Sequence, residues 1–236
     1  MSDLKVKIYA DGAVLDDMIS AYKSGIVVGF TTNPSLMKKA GIQDYNQFAK
    51  TVLKAIPDLP ISFEVFADDL ETMEKEAKKI SSFGKNVFVK IPITNSRGES
   101  SIPLIKKLSA EGLSLNVTAI FTVDQVRKTV DALTEGTSAI VSVFAGRIAD
   151  SGRDPLPYMR EDAAICHEKK GAELLWASSR ELYNVYEADE VGADIITCTP
   201  AIIEKLQKAG RSLEELSLNT VRTFNQDIKS LGYSIL

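Results

Sequence analysis

Histidine is almost missing from this chain. A single one, His167, stands among 236 residues, in a polar stretch beside Glu168, Lys169 and Lys170. Triads, histidine acid–base pairs and histidine-bound zinc are therefore nearly excluded. Cysteine is scarce too. Cys166 and Cys198 are too few for a disulfide scaffold and lack metal-ligand spacing, so both read as reduced, buried thiols of a cytoplasmic protein. No apolar run reaches the 18 or so residues that a membrane span needs, and Met1-Ser-Asp-Leu-Lys5 has no apolar signal core. No glycine-rich dinucleotide turn follows the first predicted strand, where Asp11-Gly12-Ala13 stands instead. Charge of one sign is also lacking. Lys and Arg number 28 and Asp and Glu 32, for a net charge of −4, and the two signs are mixed along the chain. That argues against a general nucleic-acid binder. An enzyme built on this sequence must work with Lys, Asp, Glu, Thr and Arg.

What the chain does have is a regular alternation. Strands are predicted over Val6–Ala10, Ile26–Phe30, Ile61–Phe66, Asn86–Pro92, Ser114–Ala119, Ala139–Phe144, Glu173–Ala177 and Asp194–Thr197. Helices are predicted between them, over Val14–Lys23, Tyr45–Ile56, Leu70–Phe83, Ser100–Glu111, Val123–Leu133, Pro157–Lys170, Arg180–Ala188 and Pro200–Lys208. Gly146–Asp154 reads as a polar loop, as does Thr31–Ser35, where Pro34 holds Asn33 extended and Ser35 is able to cap the next helix. Eight strand-then-helix units in series imply a parallel sheet, and eight strands close a barrel. The expected fold is therefore an α/β (β/α)8 barrel, one domain over 1–236, with an added C-terminal helix at Ser212–Leu231. That helix carries an apolar stripe of Leu213, Leu216, Leu218, Val221, Phe224, Ile228 and Leu231.

The most informative run is Asn86-Val-Phe-Val-Lys-Ile-Pro92, which sets a lysine inside a buried strand. Removing an ammonium from water costs several kcal/mol, and desolvation can lower a lysine pKa from about 10.4 by up to ~3–5 units. A neutral lysine is a nucleophile toward carbonyls and forms Schiff bases. A lysine at a strand end with its head in water is the other reading. Active sites of such barrels lie at the carboxyl ends of the strands. The polar residues there are Asp11, Asn33, Glu64, Lys90, Asn116, Thr118, Ser142, Arg147, Ser178 and Arg180. Helices cover the outside of barrel strands, so polar residues alternating with apolar ones are expected to face the mouth. On that parity Asn116 pairs with Thr118, Ser142 with Phe144, and Ser178 with Arg180 if the seventh strand runs that far.

The chain resembles the short, single-barrel form of the transaldolase family. The resemblance rests on Tyr9-Ala-Asp11, Gly29-Phe-Thr-Thr-Asn-Pro-Ser-Leu36, Phe63-Glu-Val65, Val89-Lys-Ile-Pro92, Leu115-Asn-Val-Thr118, Val141-Ser-Val-Phe144, Gly146-Arg147 and Ala177-Ser-Ser-Arg180. It implies transfer of a dihydroxyacetone unit from a ketose phosphate to an aldose phosphate through a Lys90 Schiff base, without metal or cofactor. Asp11 would move the C4 hydroxyl proton, and Glu64 and Thr118 would hold a water that shuttles protons. Asn33, Asn116 and Ser142 would bind substrate hydroxyls, and Phe144 would wall the pocket. Arg147, Ser178 and Arg180 would bind the terminal anion, phosphate or sulfonate, while Arg153 and Arg160 stay solvated. Read by residue alone, Asp11 also fits a turn-capping Asp-Gly, Glu64 an ion pair with Lys90, and Phe144 plain core packing. Fructose-6-phosphate aldolase relatives typically carry Gln and Tyr where this chain has Glu64 and Phe144, which favours transfer over cleavage. The resemblance also implies a cytoplasmic homo-oligomer of five or ten chains in sugar-phosphate metabolism of the pentose phosphate type; the last helix either packs on its own barrel, as terminal stripes often do, or reaches a neighbour, as it can in short members of the family. No nucleic-acid or membrane partner is expected. The rivals are an aldolase-type lyase and a non-catalytic sugar-phosphate-binding barrel.

Overall fold

A computed structural model describes residues 4–233 and 235. In chain order the elements are β1 (Lys7–Asp11), α1 (Leu15–Ser24), β2 (Gly29–Thr31), α2 (Pro34–Lys39), α3 (Tyr45–Ala55), β3 (Ile61–Glu64), α4 (Leu70–Ser81), β4 (Val87–Pro92), α5 (Ile102–Ala110) and β5 (Leu115–Ile120). They continue with α6 (Val123–Ala132), β6 (Ala139–Val143), α7 (Ala145–Asp150), α8 (Leu156–His167), β7 (Ala172–Trp176), α9 (Tyr183–Glu190), β8 (Ile195–Cys198), α10 (Pro200–Gln207) and α11 (Leu213–Leu231). The strands are parallel and close in sequence order, with β8 pairing back to β1 through Tyr9 and Thr197. This is the expected (β/α)8 barrel.

Strand parity divides the apolar residues between two cores. Leu174 and Trp176 face outward into the large core between strands and helices, whereas Leu175 and Ala177 join Tyr9, Ile140 and Ile195 inside the barrel. Each large side chain sealed in this way contributes about 1.5–3 kcal/mol. Tyr9 fills the interior so closely that a Cβ on Gly29, its register partner on the neighbouring strand, would lie 2.3 Å from its ring, so only glycine fits there. The inner apolar residues form a floor, and the polar residues stand above it at the carboxyl ends.

Several boundaries differ from the sequence reading, each for a local reason. Gly146–Asp154 is not all loop, because α7 begins at Ala145 and buries Ala145, Gly146 and Ile148. Asn33, not Ser35, caps α2: its side chain accepts from the Leu36 N–H, and Pro34 takes the first helical turn. β2 begins at Gly29 rather than Ile26. β7 ends at Trp176, and Ser178 has φ 65°, so the extended run breaks and Ser178 and Arg180 do not share a strand face. The loop then holds its shape through the Asn184 side-chain oxygen, which accepts from the N–H groups of Arg180 and Glu181 and delays α9 to Tyr183. Cys166 and Cys198 are free and buried, and no helix of the structure is long and apolar enough to cross a membrane.

Candidate active site

Lys90 lies in the middle of β4, in register with Glu64 of β3 and Asn116 of β5. It is 6% exposed, which settles the choice between a buried head and a solvated one. Its Nζ donates to the Thr32 carbonyl at 3.0 Å and lies 3.3 Å from Glu64 Oε2. Those two oxygens compensate part of the desolvation.

The amine opens onto a cavity of about 140 Å³ at the carboxyl ends of the strands. Nine of the eleven predicted side chains line it: Asp11, Asn33, Lys90, Thr118, Ser142, Phe144, Arg147, Ser178 and Arg180. Glu64 and Asn116 do not. Glu64 is outside the lining, but its Oε2 stands against the Lys90 amine, while its backbone carbonyl accepts from the Tyr45 hydroxyl at 2.8 Å. Asn116 is fully buried behind Ser142, accepting from Ser142 Oγ at 2.6 Å and donating to Ser62 Oγ at 2.9 Å.

The groups around the cavity differ in their electrostatics. Burial raises the Asp11 carboxyl above the usual range, while the Lys90 charge and the Thr31 hydroxyl pull it back down. Thr118 Oγ1 is buried beside Lys90 with no hydrogen-bond partner among the described residues. At the rim, the Arg147 guanidinium lies 5.0 Å from the centre of the Phe144 ring, a cation–π contact. Arg180 is held by Asp150 through two N–H donors, Nε at 3.2 Å and Nη2, and these hydrogen bonds, with the guanidinium charge behind them, keep the Asp150 carboxyl below the ordinary range. Arg153 and Arg160 are exposed, as expected, and pair with Ser151 and Glu190 outside the cavity. Burial pushes the Cys198 thiol up to about 12, which leaves it unreactive.

Thr31, Ser179, Thr197 and Thr199 also line the cavity and are not among the site residues expected from the sequence. Thr31 lies two residues before Asn33 in the same motif, and Thr197 is a polar end of the eighth strand. Those positions were the available signal.

Comparison with known proteins places the chain in a family. A family model described as Transaldolase/Fructose-6-phosphate aldolase matches residues 8–235. The chain belongs to the transaldolase/fructose-6-phosphate aldolase family. It is 36% identical over 204 residues to a probable transaldolase of Sphingopyxis alaskensis, covering 86% of this chain and 90% of that one. It is also 32% identical over 233 residues to a probable transaldolase of Ruegeria sp. strain TM1040, covering 98% and 100%. A probable transaldolase of Erythrobacter litoralis is 33% identical over 232 residues, with 98% and 100% covered. The match to the transaldolase/aldolase family takes in all eight strands apart from the first residue of β1, and with them every residue lining the cavity.

Proposed function

We propose that this family member is a class I transaldolase. It moves a dihydroxyacetone unit from a ketose bearing a terminal phosphate or similar anion, such as sulfonate, to an aldose acceptor. The observation that carries the reading is the buried Lys90 amine, flanked by a carbonyl and a carboxylate and opening onto a cavity that also holds Asp11 and two guanidinium groups.

In this scheme Lys90 Nζ attacks the ketone carbon, and loss of water from the carbinolamine leaves an iminium. Asp11 takes the C4 hydroxyl proton as the C3–C4 bond breaks, and the bonding pair moves toward the iminium nitrogen. The aldose leaves and the three-carbon enamine stays on Lys90. An incoming aldehyde accepts the electron pair, Asp11 returns the proton, and water releases the new ketose. Glu64 and the unpartnered Thr118 hydroxyl suit a water that carries protons during the hydration steps. Asn33 and Ser142 orient substrate hydroxyls, with Asn116 holding Ser142 from behind. Phe144 limits water at the mouth. Arg147, Ser178 and Arg180 receive the terminal anion, for which guanidinium forks are well matched. Residues 1–236 act as one barrel domain, and α11 contributes to a homo-oligomer.

The test separates transfer from cleavage. Fructose 6-phosphate is supplied with and without an acceptor aldose phosphate, and release of glyceraldehyde 3-phosphate is followed. Release that depends on the acceptor is expected. Equal release without acceptor makes the protein an aldolase-type lyase, and no release with either makes it a binding barrel.

A further inference from the structure

Two threonines that the catalytic scheme leaves unused meet in front of β1. Thr31 on β2 is in register with Asp11, and Thr197 on β8 is in register with Tyr9, two residues earlier on β1. Both are buried, at 2% and 5% exposure. Thr31 Oγ1 lies 2.8 Å from Asp11 Oδ1 and 2.5 Å from Thr197 Oγ1. A hydroxyl has one proton to donate. An ionised Asp11 can only accept, so Thr31 donates to Asp11 and Thr197 in turn donates to Thr31. The direction of the chain is therefore fixed, from β8 through β2 to the carboxylate.

We propose that Thr31, backed by Thr197, is the positioning residue for the proton-transfer carboxylate. It occupies Oδ1 and leaves Oδ2, which has no hydrogen-bond partner among the described residues, as the atom that exchanges the substrate proton. This inference rests on the assignment of Asp11 as the base. The arrangement does two things. It aims one oxygen into the cavity, and it stabilises the ionised carboxylate against the burial that otherwise favours the protonated acid. A β-branched residue in a strand explains the presence of threonine, but valine would meet that need without burying two hydroxyls.

The charged and titratable groups around Asp11 come from several elements. Lys90 of β4 lines the same cavity, and the Cys198 thiol of β8, in the outer core, lies close enough to feel the Asp11 charge. Asp17 of α1 and Glu204 of α10 line a cavity that Asp11 bounds on the outer side of the barrel. None of these changes when a threonine hydroxyl is removed, so a displaced pH profile reports the chain itself.

The test is the pH dependence of kcat/KM for the acceptor-dependent reaction in the intact protein and in Thr31→Val, Thr31→Ser, Thr197→Val and Asp11→Asn. A hydrogen bond to a charged group is strong enough that its loss moves the acid limb upward by about one to two pH units in Thr31→Val. Serine restores the original limb. Thr197→Val, one bond further out, gives a smaller shift in the same direction and keeps the test open should Thr31→Val not fold. The inference is overturned if the threonine-to-valine variants lose the same factor at every pH with the limb unmoved, while Asp11→Asn abolishes it. If Asp11→Asn instead keeps the limb, the base assignment itself falls, and the inference with it.

Discussion

Gly146 shows how a single residue can fix the anion end of the site. A Cβ placed there would lie 1.6 Å from the Ser178 carbonyl oxygen, and that atom belongs to backbone that cannot move aside cheaply. Ser178 itself sits at φ 65°, a left-handed conformation that costs about 1–3 kcal/mol in a non-glycine residue. The close approach of α7 to this loop therefore sets where Ser178 and Arg180 stand. Gly146→Ala is expected to push the loop outward, lower stability by about 1–3 kcal/mol, and raise KM for phosphorylated ketoses at least tenfold over that for unphosphorylated ones. Steady-state kinetics on the two substrate types and a thermal melt check this, and an unchanged KM ratio contradicts it. At this scale legibility followed incongruity. Lys90 and Asn116 stand out because they are polar residues inside apolar runs. Thr31 and Thr197 do not, because threonine is an ordinary strand residue, and only the register across β1 brings their hydroxyls together.

The elements were legible where period and chemistry agreed. The capping box of α6, Thr122 with Gln125, and the cap Asp69 of α4 mark starts close to those read from the sequence. They were less legible where the chain turns sharply under tertiary constraint. The first turn of α7 follows β6 with no loop between, and the end of β7 depends on the Ser178 conformation, which no local signal announces. α11 is a different case. Its apolar stripe was read correctly, but the helix has no buried residue, and Val221, Phe224 and Ile228 are all more than half exposed. Covering side chains of this kind gains about 1.5–3 kcal/mol each, and our proposal gives that role to a second copy of the chain. Light scattering is expected to give a mass that is a multiple of 25.8 kDa, falling toward one chain in a Val221→Glu, Phe224→Glu double variant. A single-chain mass for the unaltered protein contradicts the proposal.

For the whole molecule, the barrel followed from counting. Eight alternations with no dinucleotide turn left few other ways to bury eight apolar strands on both faces. Closure is also what turns scattered residues into a site. It brings Asp11 of β1, Lys90 of β4 and Ser142 of β6 to one cavity across the mouth, although 131 positions separate the first and last of them. The sequence order could rank these residues as polar strand ends, but it could not place Asn116 behind Ser142. The central claim is that the buried Lys90 amine becomes covalently joined to the sugar. The direct measurement is to incubate the protein with fructose 6-phosphate, reduce with borohydride, and locate the added mass by peptide mass spectrometry. A reduced three-carbon adduct on Lys90, missing in Lys90→Ala, is the predicted result. An unmodified Lys90, or an adduct on any other lysine, would contradict it.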